Sequence, residues 1–236
     1  MARIIICLYL NMTRKAIVFD LDGTLIDSIP DVCAAVNETL VFYKRAPVCS
    51  AKLSKMIGLG AQIMLQKAFA EDTAARTPVL IEEAVQRYLD FYKAKPTDRT
   101  IIYPGVVKVL EAYAREGIPM GICTNKPAVM TKIILEALGL SKFFCGIAAG
   151  DNVTHPKPDG RHIKLTLERM GEIAASAIMV GDSEADLMAA HDAGVPCVAV
   201  AYGYSQSDKD LSKAAAIIYT FKQLPAAITK ILEVRK

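Results

Sequence analysis

No C-x-x-C pair occurs among the six cysteines of this chain (Cys7, Cys33, Cys49, Cys123, Cys145 and Cys197), and His155, His162 and His191 stand at no ligand spacing beside them. That pattern argues against a zinc site or a disulfide scaffold and fits reduced thiols in a cytoplasmic protein. No apolar stretch approaches the ~20 residues of a membrane helix. The opening MARIIICLYLNM lacks a small-residue cleavage site, which argues against a signal peptide. A run of basic residues is missing too, and the net charge is only +3. Nucleic acid and membrane are therefore not expected partners; a small anionic molecule is. Internal repeats and low-complexity tracts are absent, and no residue pattern separates a monomer from a dimer.

What is present is core material. Of the 236 residues, 53% are hydrophobic and 22% charged, so the chain can bury a large interior. Strand-length apolar runs recur at 16–19 (AIVF), 117–123 (GIPMGIC), 177–180 (AIMV), 195–200 (VPCVAV) and 215–219 (AAIIY). Their near-continuous hydrophobicity suits parallel strands buried on both faces. Helical periodicity falls between them, at 105–116, 127–138, 159–170, 183–193 and 221–234. This alternation predicts an α/β fold, a Rossmann-like doubly wound parallel sheet.

From Ser28 to Thr100 the rhythm changes to helical periodicity alone, in DVCAAVNETLVFY, AQIMLQKAFA and VLIEEAVQRYLDFY. An inserted all-helical cap over 28–100 is expected, with a core built from 12–27 and 101–236. Met12 begins a natural lead into the first strand, so 1–11 reads as an N-terminal extension.

The polar residues gather at strand ends. Asp20 and Asp22 follow the first strand, Thr124 and Asn125 the second, and Gly181, Asp182 and Ser183 the third, with Asp186 beyond. In open α/β sheets, ligands bind outside the carboxyl ends of the strands. Asp20 and Asp22 flank one residue, so an extended segment points both to one side. Each piece also has an ordinary explanation. Asp22-Gly23 can simply start a turn, Ser183-x-x-Asp186 a capping box, TNKP (124–127) a helix, and Lys157 can be a solvated loop lysine. The capping box leaves Asp182 unexplained, and four unrelated accidents at successive strand tips are a poor account. Two acids this close repel unless a cation lies between them, and oxygen ligands suit Mg²⁺.

DLDGT, then TN, then Lys157-Pro, then GDSEAD resembles the haloacid dehalogenase-like hydrolase superfamily. FDLDGTLIDSIPDVCAAVNETL, IGLGAQIML, TNKP and VGDSEADLMAAHDAG are similar to its phosphoglycolate phosphatase branch, and the resemblance runs from about residue 13 to the end. One departure stands out: Gly160 replaces the second proline of the branch's Lys-Pro-x-Pro, which predicts a looser loop around Lys157.

The resemblance implies a Mg²⁺-dependent phosphomonoesterase acting through an aspartyl-phosphate, with 2-phosphoglycolate as the family-level substrate. It implies Asp20 as nucleophile and Asp22 as acid and base, its side chain free while its main chain is fixed. Asp20, the main-chain carbonyl of Asp22 and Asp182 are implied metal ligands, with Asp186 behind them. Thr124, nearby main-chain N–H groups including that of Asn125, and Gly23 are expected around the phosphate, with Lys157 as countercharge. The need is physical: a carboxylate nearing a phosphate at ~3.5 Å meets about 5 kcal/mol of repulsion per unit charge at an effective dielectric near 20. Gly58-Leu59-Gly60 is expected as a turn dipping over the site. Alternatives are another small phosphate ester, or a phosphomutase resembling β-phosphoglucomutase. A metal-gated binding protein without turnover is less favoured. A phosphonatase-type cap lysine is missing after Gly60.

Overall fold

The computed structural model describes residues 15–69, 78–204 and 211–234. The expected 1–11 extension lies outside the described residues. Strands β1 (Ala16–Phe19), β4 (Met120–Thr124), β5 (Gly146–Ala149), β6 (Ala177–Gly181), β7 (Cys197–Val200) and β8 (Ala216–Ile218) form one parallel sheet in the order β5-β4-β1-β6-β7-β8. Between β1 and β5 the chain builds to one side of β1; β6 then opens the other side. That reversal makes the carboxyl ends of β1, β4 and β6 the natural crevice.

The near-continuous apolar runs are explained by double-sided burial. Ile17 and Phe19 pack with Val106, Leu110, Ile134 and Leu224, from helices α5 (Val106–Arg115), α6 (Ala128–Ala137) and α9 (Leu224–Val234). Ala16 and Val18 pack the opposite way, with Ile163, Leu167 and Ala190 of α7 (Arg161–Met170) and α8 (Glu184–Ala193). Burying a side chain such as Phe19, fully enclosed here, contributes roughly 1.5–3 kcal/mol.

Three strands depart from expectation. β5 is a sixth parallel strand, and Ile26–Asp27 (β2) pairs antiparallel with Ile101–Ile102 (β3). Between them run α1 (Ile29–Phe42), α2 (Ser50–Ser54), α3 (Ala61–Ala68) and α4 (Pro78–Ala94), with α1 and α4 packed together. No helix among the described residues is long and apolar enough to cross a membrane.

The two chain crossings between sheet and helices are fastened by one buried carboxylate. Asp31, in the first turn of α1, accepts the N–H groups of Arg99 (3.0 Å) and Thr100 (2.7 Å) and the Thr100 hydroxyl (2.7 Å). Removing it leaves those donors without a partner. Asp31→Ala is expected to lower unfolding free energy by about 3 kcal/mol in a denaturant titration. A change below about 0.5 kcal/mol, the scale of an ordinary surface substitution, would remove that role.

Candidate active site

The turn after β1 is tight. Gly23 donates its N–H to the Ile26 carbonyl (2.8 Å), and Leu25 closes back on Leu21 (2.9 Å). Gly23 has φ +83°, a conformation that favours glycine, and a side chain there would overlap the Asp182 carboxylate. This close approach sets the β1 turn against the β6 tip. Asp182 is fixed there by the Thr24 hydroxyl (3.1 Å) and the Tyr204 N–H (2.7 Å).

Asp20, Asp182 and Asp186 are all buried, and one carboxylate oxygen from each lies within 4.8 Å of the others. Lys157 reaches in from the loop after β5, its ammonium 2.6 Å from Asp186 Oδ1 and 2.8 Å from Asp20 Oδ1. Asp186 serves two purposes with its two oxygens. Oδ1 meets Lys157, while Oδ2 accepts the Ser183 N–H and hydroxyl in a capping box at the start of α8. The capping box of Ser183-x-x-Asp186 is formed, and the same Asp186 also holds Lys157.

Burial is the largest influence on this cluster. It pushes the Asp20 carboxyl up to about 6 from 3.8, against the pull of Lys157, with Asp186 and Asp22 adding to the rise. Burial likewise holds the Asp182 carboxyl well above its usual range, reinforced by Asp186 and Asp20. For Lys157, burial opposes the charge, but Asp186 and Asp20 outweigh it and keep the ammonium protonated.

The Lys157 loop is firmly held. The Lys157 N–H is shared between Asn125 Oδ1 and His162 Nδ1, each 3.0 Å away. Burial, then the Lys157 charge, push the His162 imidazole down to about 4, so it is neutral and able to accept. The loosening expected from Gly160 is not found. Its N–H donates to Asp192 Oδ2 (2.8 Å), and any side chain there would collide with the backbone of α8. Glycine packs this loop against a helix.

Asn125, just past β4, is an organiser. Its amide donates to the carbonyls of Lys157 and Gly58, both at 2.8 Å, linking sheet tip, lysine loop and helical segment. Thr124 ends β4 with its hydroxyl accepting the Lys126 N–H (3.2 Å). Gly58 and Leu59 line a cavity of about 400 Å³ that also holds Asp20, Asp22 and Asp182. Gly58 and Leu59 of the expected turn therefore border the acidic cluster.

Asp22 corrects one expectation: its side chain is not free. Oδ1 accepts the Ser28 hydroxyl (2.6 Å), and both oxygens lie 3.0 Å from the Lys126 ammonium. The Asp22 carboxylate stands outside the three-acid cluster but lines the same cleft as Asp20. Sequence reasoning missed Lys126, and with it Ser28, Tyr92 and Tyr204. Lys126 donates to the Tyr92 hydroxyl of α4 (3.0 Å), and Tyr204 hydrogen-bonds Ser28 N–H (2.8 Å) and Asp27 (3.1 Å). The only sequence signal for Lys126 is its place beside Thr124-Asn125 at a strand end.

Known proteins resemble this chain over most of its length. Residues 17–200 match the sequence profile of the haloacid dehalogenase-like hydrolases. A phosphoglycolate phosphatase of Agrobacterium fabrum is 35% identical over 216 residues, covering 91% of this chain and 93% of the relative. One from Caulobacter vibrioides is 36% identical over 225 residues, covering 94% of both. Among solved structures, a protein described as a predicted phosphoglycolate phosphatase from Haemophilus somnus superimposes with a TM-score of 0.83 at 26% identity. It spans 95% of this chain and 99% of its own.

Proposed function

The chain belongs to the haloacid dehalogenase-like hydrolase family, and from that premise we propose that it is a Mg²⁺-dependent phosphomonoesterase that hydrolyses 2-phosphoglycolate through an aspartyl-phosphate on Asp20. The observation that carries this reading is the burial of Asp20, Asp182 and Asp186 around one lysine at the carboxyl ends of β1 and β6.

Charge balance supports a divalent cation. The Asp20, Asp182 and Asp186 carboxyls surround one buried ammonium, Lys157, so with all three ionised two negative charges are left over. The donor set is all oxygen, as a hard cation requires. Apart from its ion pair with Lys157 at 2.8 Å, Asp20 Oδ1 has no hydrogen-bond partner. These residues fit Mg²⁺: Asp20, Asp182 and the main-chain carbonyl of Asp22 would hold it, with Asp186 supporting through Lys157 and Ser183. Bound there, the ion would supply positive charge to the phosphoryl oxygens.

The chain's own residues do the rest. Asp20 attacks phosphorus as the ester P–O bond breaks, and Asp22, entering the step as the carboxylic acid, gives its proton to the departing alkoxide. Asp22 then takes a proton from the water that attacks phosphorus, releasing phosphate and restoring Asp20. Lys157 stabilises charge on the transferring group, and Thr124 with the main-chain N–H groups of Asn125 and its neighbours orients it. Gly58-Leu59-Gly60 limits water at the site.

The reading is tested by a phosphate-release panel of 2-phosphoglycolate, sugar phosphates, nucleotides and pyrophosphate, with and without Mg²⁺. Preferential Mg²⁺-dependent release from 2-phosphoglycolate is expected; preference for a sugar phosphate would move the assignment to another ester.

A pH dependence follows from Asp20. Its folded-state pKa of about 6 lies above the unfolded 3.8, so its contribution to stability is complete below 3.8 and is lost as pH rises through about 6. Mg²⁺ competes with that proton. The rise in Tm on adding Mg²⁺ is therefore expected to be small near pH 5 and larger near pH 7.5. Titration of His162 is common to both melts and cancels in the difference. A Tm rise independent of pH would contradict this linkage.

A further inference from the structure

We infer that Lys126 is the specificity residue that binds the carboxylate of the substrate, which makes this site selective for small phosphorylated hydroxy acids. The inference rests on the phosphomonoesterase reading above. Lys126 follows β4, and its side chain turns inward beneath the helical segment until it is nearly enclosed. Its ammonium is 3.0 Å from both Asp22 oxygens and 3.0 Å from the Tyr92 hydroxyl, and 4.7 Å from the Tyr92 ring centre. Beside it is a cavity of about 30 Å³ lined by Asp22, Asn125, Gly58, Met64 and Tyr88. Lys126 is the only basic side chain among the residues lining it.

A buried cation at the end of a largely apolar pocket fixes the orientation of an anionic group. Holding Asp22 does not by itself require such an opening, because the Ser28 hydroxyl already engages Asp22 at 2.6 Å. Reach also fits. The ester oxygen that takes a proton from Asp22 must be within a hydrogen bond of it, and the lysine is one ion pair further on. In 2-phosphoglycolate a single methylene separates that oxygen from the carboxylate, so the second anion falls beside the lysine. Lys157 and Lys126 would then meet the two anionic ends of one short substrate. At about 30 Å³ this cavity is on the scale of a carboxylate and far smaller than the adjoining cleft of about 400 Å³.

The test compares 2-phosphoglycolate with 2-hydroxyethyl phosphate, which replaces the carboxylate by a neutral alcohol, in wild type, Lys126→Met and Lys126→Gln. Wild type is expected to favour the carboxylate ester in kcat/KM, and both variants to cut that preference by about 10- to 100-fold. A second readout needs no turnover. Wild type should bind 3-phosphonopropionate more tightly than propylphosphonate by calorimetry, and the variants should bind the two alike. Equal losses for both esters in the variants, with the binding ratio unchanged, would overturn the inference and leave Lys126 as a positioner of Asp22. Wild-type release from both esters at similar rates would overturn the carboxylate assignment alone. No Mg²⁺-dependent release from either would take down the phosphomonoesterase reading and this inference with it.

Discussion

Asp20→Asn is expected to lower Mg²⁺-dependent phosphate release by on the order of 10⁴-fold or more, the scale seen when a nucleophile is removed while the rest of a site remains. The amide has nearly the same shape as the carboxylate but cannot attack phosphorus. Folding should not suffer. Burial raises the pKa of Asp20 to about 6, which means the ionised carboxylate is unfavourable in the metal-free chain. The variant removes a negative charge from a cluster that has an excess of it. Its metal-free Tm at neutral pH is therefore expected to equal or exceed that of wild type, while its stabilisation by Mg²⁺ falls. Loss of activity together with collapse of the fold would mean that Asp20 is chiefly structural. Near-normal turnover would remove it as the nucleophile.

Lys157→Met should damage both stability and chemistry. The ammonium stands between Asp186 and Asp20, at 2.6 and 2.8 Å, with its side chain almost wholly enclosed. Breaking a buried pair by removing one partner costs about 3–5 kcal/mol, because the remaining charges stay buried without compensation. The penalty in the metal-free protein should be greater near pH 7.5 than near pH 5, since a protonated Asp20 needs no countercharge. Turnover should fall by on the order of 10³-fold, as transition-state charge loses its nearest side-chain cation. A change confined to stability, with kcat close to wild type, would place Lys157 outside the chemistry.

The sheet was largely legible because strands buried on both faces cannot hide their composition. AIVF and AIMV announce β1 and β6, and the acids at their tips stand out against those runs. β5 was missed for a physical reason: GIAA is a four-residue edge strand with a single β-branched residue, Ile147, so its apolar run carries little that distinguishes a strand. The β2–β3 pair is two residues long on each side, too short for any period to register. The long helices of the 28–100 segment were legible as amphipathic stretches, but which of their side chains meet the sheet was not.

Site residues divide along the same line. Asp20, Asp22 and Asp182 were readable because each lies just past a strand end, and Asp186 because it completes the GDSEAD run after β6. Lys126 was not, because its meaning depends on Asp22, 104 residues away in the chain. The same long-range contact explains why the Asp22 side chain was expected to be free. Gly160 looked like a lost proline in sequence, whereas the fold uses it as a contact surface for α8.

The central claim is that the Asp20 carboxylate itself becomes phosphorylated. The most direct measurement is chemical trapping: mix enzyme, Mg²⁺ and 2-phosphoglycolate, quench within a turnover, reduce with borohydride and map the peptides by mass spectrometry. An acyl phosphate at Asp20 predicts conversion of residue 20 to homoserine, dependent on both substrate and Mg²⁺ and absent from Asp20→Asn. Rapid turnover with residue 20 unmodified, or homoserine appearing at another position, would contradict the account.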